Sequence, residues 1–413
     1  MTPHWAATSR LPSFFLHPRR DCAPGKFKFE RSYGNARPLR TEEYVKGKFI
    51  LAFSLIAIIA MLACGGGSST SSGGDGGGRS SAVSTPTISM TAQLNGGQLI
   101  SMADSTSGTS IYFTLDGSTP TTSSALYVAP FLLTTNATLK AVAYAGSTGS
   151  QLASQSVSPN IGSGTLVWSD EFTNSTGANI GPNSTFWTYD TGAGGWGNQE
   201  LETYCAWGSS TAPCDSNNPN VYVGTDGYLH IVAREPSGAY TSARLKTQGL
   251  FSVLYGRVEA RMLVPEGQGL WPAFWMLGNN IAKVNWPACG EQDIMEHINA
   301  PQPDWVAASI HGTNLNGSQQ FFGAGGQTFS ASEWHTYGMI WSPGRVEYYV
   351  DSPDNIYATY TTGQSGGVWP FDSGSGAFII LNLAVGGNWP GSPDGSTSFP
   401  SQVLVDYVRI YSN

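Results

Sequence analysis

Between Leu166 and Tyr411, apolar residues recur with a period of two in short runs separated by Gly, Asn, Asp and Pro. Nothing there has the 3.6-residue period of a long amphipathic helix. The run from Gln402 to Tyr411 sets Val403, Val405, Tyr407, Arg409 and Tyr411 against Leu404, Asp406, Val408 and Ile410. A strand sends alternate residues to opposite faces, so such a chain hides its apolar side by laying one sheet on another. The pattern predicts an all-β domain of two packed, curved antiparallel sheets over residues 161–413. A late strand that pairs back with the beginning of the domain would close it, and losing that strand should unfold it.

One stretch departs from ordinary strand composition. Cys289-Gly290-Glu291-Gln292-Asp293-Ile294-Met295-Glu296-His297 holds three carboxylates within six residues, although acidic residues are poor strand formers and like charges on one face repel. Glu291 and Asp293 share a face by alternation, whereas Glu296 would point the other way. One extra residue near Met295, a β-bulge, returns it to theirs. Two carboxyl groups about 5–5.5 Å apart suit glycoside hydrolysis with retention, one acting as nucleophile and the other as acid and then base. Glu291 is the expected nucleophile and Glu296 the expected acid, with Asp293 tuning Glu291. Crowding of like charge raises the pKa of at least one of them and keeps Glu296 protonated.

Gly290 to Glu296 resembles the active-site signature of family 16 glycoside hydrolases, in the laminarinase (endo-β-1,3-glucanase) branch, whose additional Met makes the bulge. The likeness runs in family order. It starts with Leu166 to Phe172, Gly195 to Leu201 and Tyr255 to Arg261, passes through Trp271 to Gly278 and Glu333 to Tyr337, and ends with Leu381 to Trp389 and Val405 to Tyr411. It implies a β-jelly roll and a retaining endo-β-1,3-glucanase that needs no cofactor for catalysis. Its partner would be a β-glucan. By the same resemblance Trp271, Trp275 and Trp286 line the glycone subsites, Asn198 and Glu200 hydrogen-bond sugar hydroxyls, and His311 stands near the aglycone side. For each single Trp, core packing is the competing assignment. Relatives often hold a structural Ca²⁺ away from the cleft, and the matching oxygens are those of Glu171, Asp406 and the carbonyl of Gly227. Gln292 replaces a usual aliphatic residue at a position facing the layer between the sheets, where an unpaired amide is costly. Two other enzyme readings are a mixed-linkage β-1,3-1,4-glucanase and a hydrolase of another β-glycan such as a galactan. The reading of a different class is a non-catalytic β-glucan-binding protein of this fold.

Residues 86–160 show shorter alternating runs and the turn Asp116-Gly117-Ser118-Thr119-Pro120. They predict a small β-sandwich. Ile111 to Pro120 with Tyr127 resembles the chitobiase/hexosaminidase C-terminal domain, an immunoglobulin-like accessory module. The segment has no Trp, so it lacks the indole platform on which a sugar ring stacks. A spacer is the expected role.

Residues 1–45 carry no hydrophobic period and form an expected non-native extension, with Val45 as an alternative start. From 46 to 64, two lysines, fifteen largely apolar residues and Cys64 fit a signal peptide with a lipobox-like end. Cys64 would then be lipidated, tethering a bacterial cell-surface protein to a membrane; an ordinary secretory signal cleaved nearby would instead give a secreted protein. The segment 65–85 is nearly all Gly and Ser, a flexible tether with a reach of roughly 25 Å. Residues 1–48 hold ten of the twenty Lys and Arg and four acids, a charge of +6, so the remainder carries −14 and the whole chain −8. That acidic surface argues against a nucleic-acid partner, and a monomer is expected. In an oxidising compartment Cys205 and Cys214, which enclose a Ser-, Pro- and Asn-rich loop, are expected to form a disulfide.

Overall fold

The computed structural model describes residues 83–298, 305–314, 319–328, 333–362 and 367–413. The extension, the signal segment with Cys64 and the tether up to residue 82 lie outside the described residues. Among the described residues, no helix is long and apolar enough to cross a membrane.

Two sheets make the larger domain. In the inner sheet, strands Ser252–Val253, Ala377–Val385, Leu270–Gly278, Glu291–Glu296, Trp305–Asn314 and Gln319–Thr328 lie side by side in that order. In the outer sheet the order is Val221–Val223, Leu229–Ala233, Ser401–Tyr411, Gly256–Leu263, His335–Ser342, Arg345–Val350 and Ile356–Thr361. The terminal strand Ser401–Tyr411 also pairs with Leu166–Asp170, the first strand of the domain, which closes the sandwich as the alternation requires. Between the sheets, Val258, Ala260 and Met262 meet Phe274, Met276, Leu381 and Leu383, all fully buried. These are the even or odd members of each run, so the period of two fixes which face is dry.

Asp406 does not share a face with apolar residues, as uninterrupted alternation would have it. The register of Gly256–Leu263 against the terminal strand shifts between Arg261 and Met262, so that Arg261 pairs with Tyr407 but Met262 with Val405. Asp406 is the extra residue. It turns outward, and Arg261 Nη1 donates to its Oδ2 at 2.7 Å. Glu171 receives a fork of two bonds from Arg409 at 2.9 and 2.8 Å. Both carboxylates expected to bind calcium are thus neutralised by guanidinium groups, and Gly227 merely turns a loop at φ +81°. This donor set does not fit a Ca²⁺ ion, which needs several oxygens free to converge.

The accessory sandwich packs strands Thr87–Ala92, Gln98–Ala103 and Phe131–Leu133 over Ser110–Thr114, Ala137–Ala145 and Ala153–Val157. Its core contains Ile100, Leu132 and Leu139, with the rings of Phe113 and Phe131 stacked at 5.0 Å. The expected turn forms, with Asp116 Oδ1 accepting from the Ser118 N–H and hydroxyl and Gly117 at φ +81°. The sandwich is not a free bead on the chain. Phe131 and Leu132 pair in parallel with Ser252 and Val253, so its sheet continues into the inner sheet of the larger domain. Asn95 Nδ2 also donates to the Leu166 carbonyl at 2.8 Å.

Candidate active site

The acidic strand Glu291–Glu296 lies between two neighbours that fix its faces. Against Leu270–Gly278 it pairs Leu277 with Glu291, Trp275 with Asp293, and then Ala273 with Glu296 after a register shift. Against Trp305–Asn314 it pairs His311 with Glu291, Ser309 with Asp293 and Ala307 with Glu296, shifting at the same place. The irregularity falls at Ile294 and Met295, two consecutive apolar side chains that are both buried. It brings Glu291, Asp293 and Glu296 onto one face with Trp271, Trp275, Ser309 and His311. Ala273 and Ala307 flank Glu296, and their small side chains leave room above it. Gly290 sets the entry: its φ is +83°, and a Cβ there would come within 2.9 Å of Pro370, so a side chain is both strained and obstructed.

Each carboxylate has its own partners. Trp286 Nε1 donates to Glu291 Oε2 at 2.5 Å, and Trp271 Nε1 donates to Glu296 Oε1 at 3.0 Å. Asp293 accepts from the Ser309 hydroxyl and lies 3.1 Å from His311 Nε2, which is 3.9 Å from Glu291. Tyr348, reaching from the other sheet, donates to the Ser309 carbonyl at 2.8 Å and holds that strand from below.

Burial, then the negative charge of Asp293, pushes the Glu291 carboxyl upward, while His311 and Trp286 favour its ionised form. Burial, then Asp293 and Glu291, pushes Glu296 well above the ordinary carboxylate range. Glu291 therefore has a hydrogen bond and a cation on the side of ionisation, and Glu296 keeps its proton. At His311 burial works against the cation, but Asp293, Glu291 and Glu296 outweigh it and raise the pKa to about 9. Two carboxyl groups on a common face, Glu291 with the partners that favour ionisation and Glu296 with the stronger push toward its proton, suit a double displacement at an acetal carbon.

Beside this strand a second polar group is buried. Glu200 accepts from Arg244 Nη2 at 3.0 Å, from the Tyr204 hydroxyl at 2.7 Å and from Asn198 Nδ2 at 3.3 Å. Both of its oxygens are engaged, so it orients Asn198 and Arg244. Arg244 lies over the rings of Tyr204, Trp196 and Trp275, at 4.6, 5.1 and 5.5 Å from their centres. Trp275 Nε1 donates to Asn382 Oδ1 at 2.7 Å. Trp286 is 45% exposed and Trp389 40%; Trp389 meets Trp271 edge-on at 5.4 Å and Trp305 at 6.0 Å. The exposed indoles offer apolar faces that suit the C–H faces of a pyranose.

Arg244, Asn382, Ser309 and Trp389 were not singled out by sequence reasoning. For Asn382 the signal was a lone polar residue inside the apolar run from Ile379 to Val385; Arg244, among Thr241, Ser242 and Lys246, carried none. Gln292 lies between the sheets and is buried, and its Nε2 has no hydrogen-bond partner. With the equally unpartnered Trp341 Nε1 it borders a cavity of about 10 Å³, the size one water molecule requires. Cys205 and Cys214 are joined in a disulfide. Cys289 is a buried free thiol, pushed up to about 11 by burial and the nearby Glu291. His230 contacts Asp226 and Gln402, and His335 contacts Asp351, all away from the acidic strand.

Glu202 gives a test of its own. It is buried, its Oε2 accepts the Val385 N–H at 2.7 Å, and no donor reaches its Oε1. Burial and the neighbouring Glu200 raise its pKa from 4.5 to about 8, so the neutral acid is the stable form. A raised acid stabilises the fold fully below its unfolded value and loses that contribution as pH climbs through its folded value. Glu202→Gln mimics the protonated acid permanently. The melting temperature of the variant relative to the native protein should therefore rise between about pH 4.5 and pH 8 and level off above. A gap that stays constant across that window would show that Glu202 carries no proton.

Comparison with known proteins identifies the family. Residues 207–409 match the family model for glycosyl hydrolases family 16, and residues 91–156 match that for the chitobiase/beta-hexosaminidase C-terminal domain. The beta-glucanase of Rhodothermus marinus is 39% identical over 264 residues, covering 60% of this chain and 84% of that protein. The clotting factor G alpha subunit of Tachypleus tridentatus is 35% identical over 253 residues, which span 60% of this chain but only 34% of the longer protein. The crystal structure of the laminarinase catalytic domain from Thermotoga maritima superposes with a TM-score of 0.51 at 34% identity, covering 61% of this chain and 99% of that one. The chain belongs to glycoside hydrolase family 16, with an accessory domain of the chitobiase C-terminal type ahead of the jelly roll.

Proposed function

We propose that this glycoside hydrolase is a retaining endo-β-1,3-glucanase. The observation that carries the reading is the bulge at Ile294 and Met295, which sets Glu291 and Glu296 on one face of the cleft sheet between two neighbours that supply indoles. Similarity to a laminarinase and a beta-glucanase supports the substrate class.

In this mechanism the Glu291 carboxylate attacks the anomeric carbon while the Glu296 proton passes to the departing glycosidic oxygen. The glycosyl ester formed on Glu291 is then displaced by water, whose proton returns to Glu296, so the product keeps the β configuration. Asp293, held by Ser309 and His311, stays beside Glu291 and sets its field. Trp271, Trp275 and Trp286 receive the sugars, and Asn198 is turned toward them by Glu200. The rate should fall on the acid side as Glu291 takes up a proton, and on the alkaline side as Glu296 loses its own.

Purified enzyme should release reducing sugar from laminarin, and proton NMR of the first product should show the β anomer. Faster release from mixed-linkage β-1,3-1,4-glucan would move the assignment to that substrate. Binding of laminarin with no release would make the chain a glucan-binding protein. The cell-surface reading rests on residues 46–64 alone; the mass of the mature N-terminus, with or without a lipidated Cys64, tests it.

A further inference from the structure

The loop 279–290 carries Trp286, whose N–H reaches the Glu291 carboxylate at 2.5 Å. That indole is 45% exposed, so no core packing fixes it, and its position depends on what holds the loop. The main chain of the loop is tied to the segment 374–377. Asn279 N donates to the Gly376 carbonyl at 3.0 Å and Asn279 Nδ2 to the Ser375 carbonyl at 3.1 Å.

That segment in turn rests on the accessory sandwich. A Cβ on Gly374 would come within 3.2 Å of Ala125. Ala377 pairs with Val253, and Val253 pairs with Leu132 of the sandwich. The Pro130 carbonyl accepts from both Ser252 N, at 2.9 Å, and Ser252 Oγ, at 3.1 Å. A second contact reaches the loop directly. Lys283, in the short helix Ile281–Val284, sets its ammonium 4.9 Å from the centre of the Tyr112 ring. Tyr112 is itself placed by its strand and by the edge of Tyr144 at 5.8 Å, whose hydroxyl bonds the Pro120 carbonyl.

We propose that the accessory sandwich is a positioning element for the cleft: it braces the loop 279–290 and so holds Trp286 against Glu291, with Tyr112 acting through Lys283. The expected role of a spacer does not require any of these contacts. The inference rests on the hydrolytic reading of Glu291, and it gives the sandwich a part in catalysis without a sugar-binding platform. A cation over a half-buried ring at the surface is a modest contact, so Tyr112 and Lys283 adjust a loop that the backbone pairing has already placed.

The test uses the full chain with laminarihexaose as the probe. Tyr112→Phe keeps the ring and should behave as the native enzyme. Lys283→Met should lower kcat/KM by about two- to five-fold, the most an exposed contact of this kind supplies. Tyr112→Arg, which sets a second cation against Lys283, should lower it at least as much, and Tyr112→Arg with Lys283→Glu should recover it. In the impaired variants the acid limb of the kcat/KM profile should move to higher pH, because Glu291 has lost a donor that favours its ionised form. Lys283 is exposed, so its variant folds even if Tyr112→Arg does not. Native kinetics in Lys283→Met, or no recovery in the charge-swapped pair, would overturn the proposal. A native enzyme inactive on every glucan would instead refute the hydrolytic reading. Titration of tryptophan fluorescence with the same probe, which needs no turnover, would then still report whether Lys283→Met alters the cleft.

Discussion

Glu296→Gln should lower the turnover of laminarin by about 10²–10⁴-fold, the range of a missing general acid, with no change in circular dichroism or melting temperature beyond a few degrees. Gln fits the same space, and its amide oxygen still accepts the Trp271 N–H that now reaches Glu296 at 3.0 Å. The role assignment makes a sharper demand. An aryl laminaribioside with a strongly acidic phenol leaves without help, so Glu296→Gln should retain rapid phenol release in a first burst. Glu291→Gln should lose both reactions, since no ester can form without the nucleophile. If Glu291→Gln shows the burst and Glu296→Gln does not, the two roles must be exchanged. Substantial laminarin turnover in either variant would dismiss the double-displacement reading.

Arg244→Met should be the most damaging change outside the acidic strand. The guanidinium and its partner are nearly dry, with side chains 9% and 2% exposed. Removing the cation leaves the Glu200 carboxylate buried beside Glu202 with only Tyr204 and Asn198 to serve it. Breaking such a pair from one side costs about 3–5 kcal/mol, which lowers the melting temperature by about 10 °C in a domain of this size. Arg244→Met with Glu200→Gln removes the stranded charge and should regain most of the loss. A single variant that melts within about 2 °C of the native protein would mean that water reaches Glu200 and that the pair is effectively a surface contact.

Much of the catalytic face was legible because a strand has a strict period. Glu291 and Asp293 needed only alternation, Trp271 and Trp275 came from the family resemblance, and the odd parity of Glu296 demanded an irregularity that the pairing places at Ile294 and Met295. The same rule misplaced Asp406. The irregularity there shows in how Ser401–Tyr411 pairs with Gly256–Leu263, and nothing in the run Val405-Asp406-Tyr407 announces it. Calcium was expected there from the family resemblance, and the guanidinium groups that pair with Asp406 and Glu171 come from segments distant in sequence from each. Contacts made by main chain alone were also silent. Phe131 and Leu132 pair with Ser252 and Val253 through peptide groups, which every residue possesses, so no side-chain pattern could show that the accessory sandwich is fused to the inner sheet. Glu200 was named by resemblance, while Arg244 and Glu202 stand in polar stretches that give no sign of them; that the three meet is a consequence of the folded sheet.

The pairing of Leu166–Asp170 with Ser401–Tyr411 has a consequence for how the protein is made. Glu171 and Arg409, which seal that pairing, are 238 residues apart in the chain. At about 5–20 residues per second on a ribosome, the first strand waits roughly ten seconds to a minute for its partner to emerge. During that wait Leu229–Ala233 and Gly256–Leu263, which flank the terminal strand in the outer layer, also lack that partner, and their open edges are able to seize another strand. Synthesis that slows late in the message should therefore raise the yield of aggregate more than an equal delay placed early.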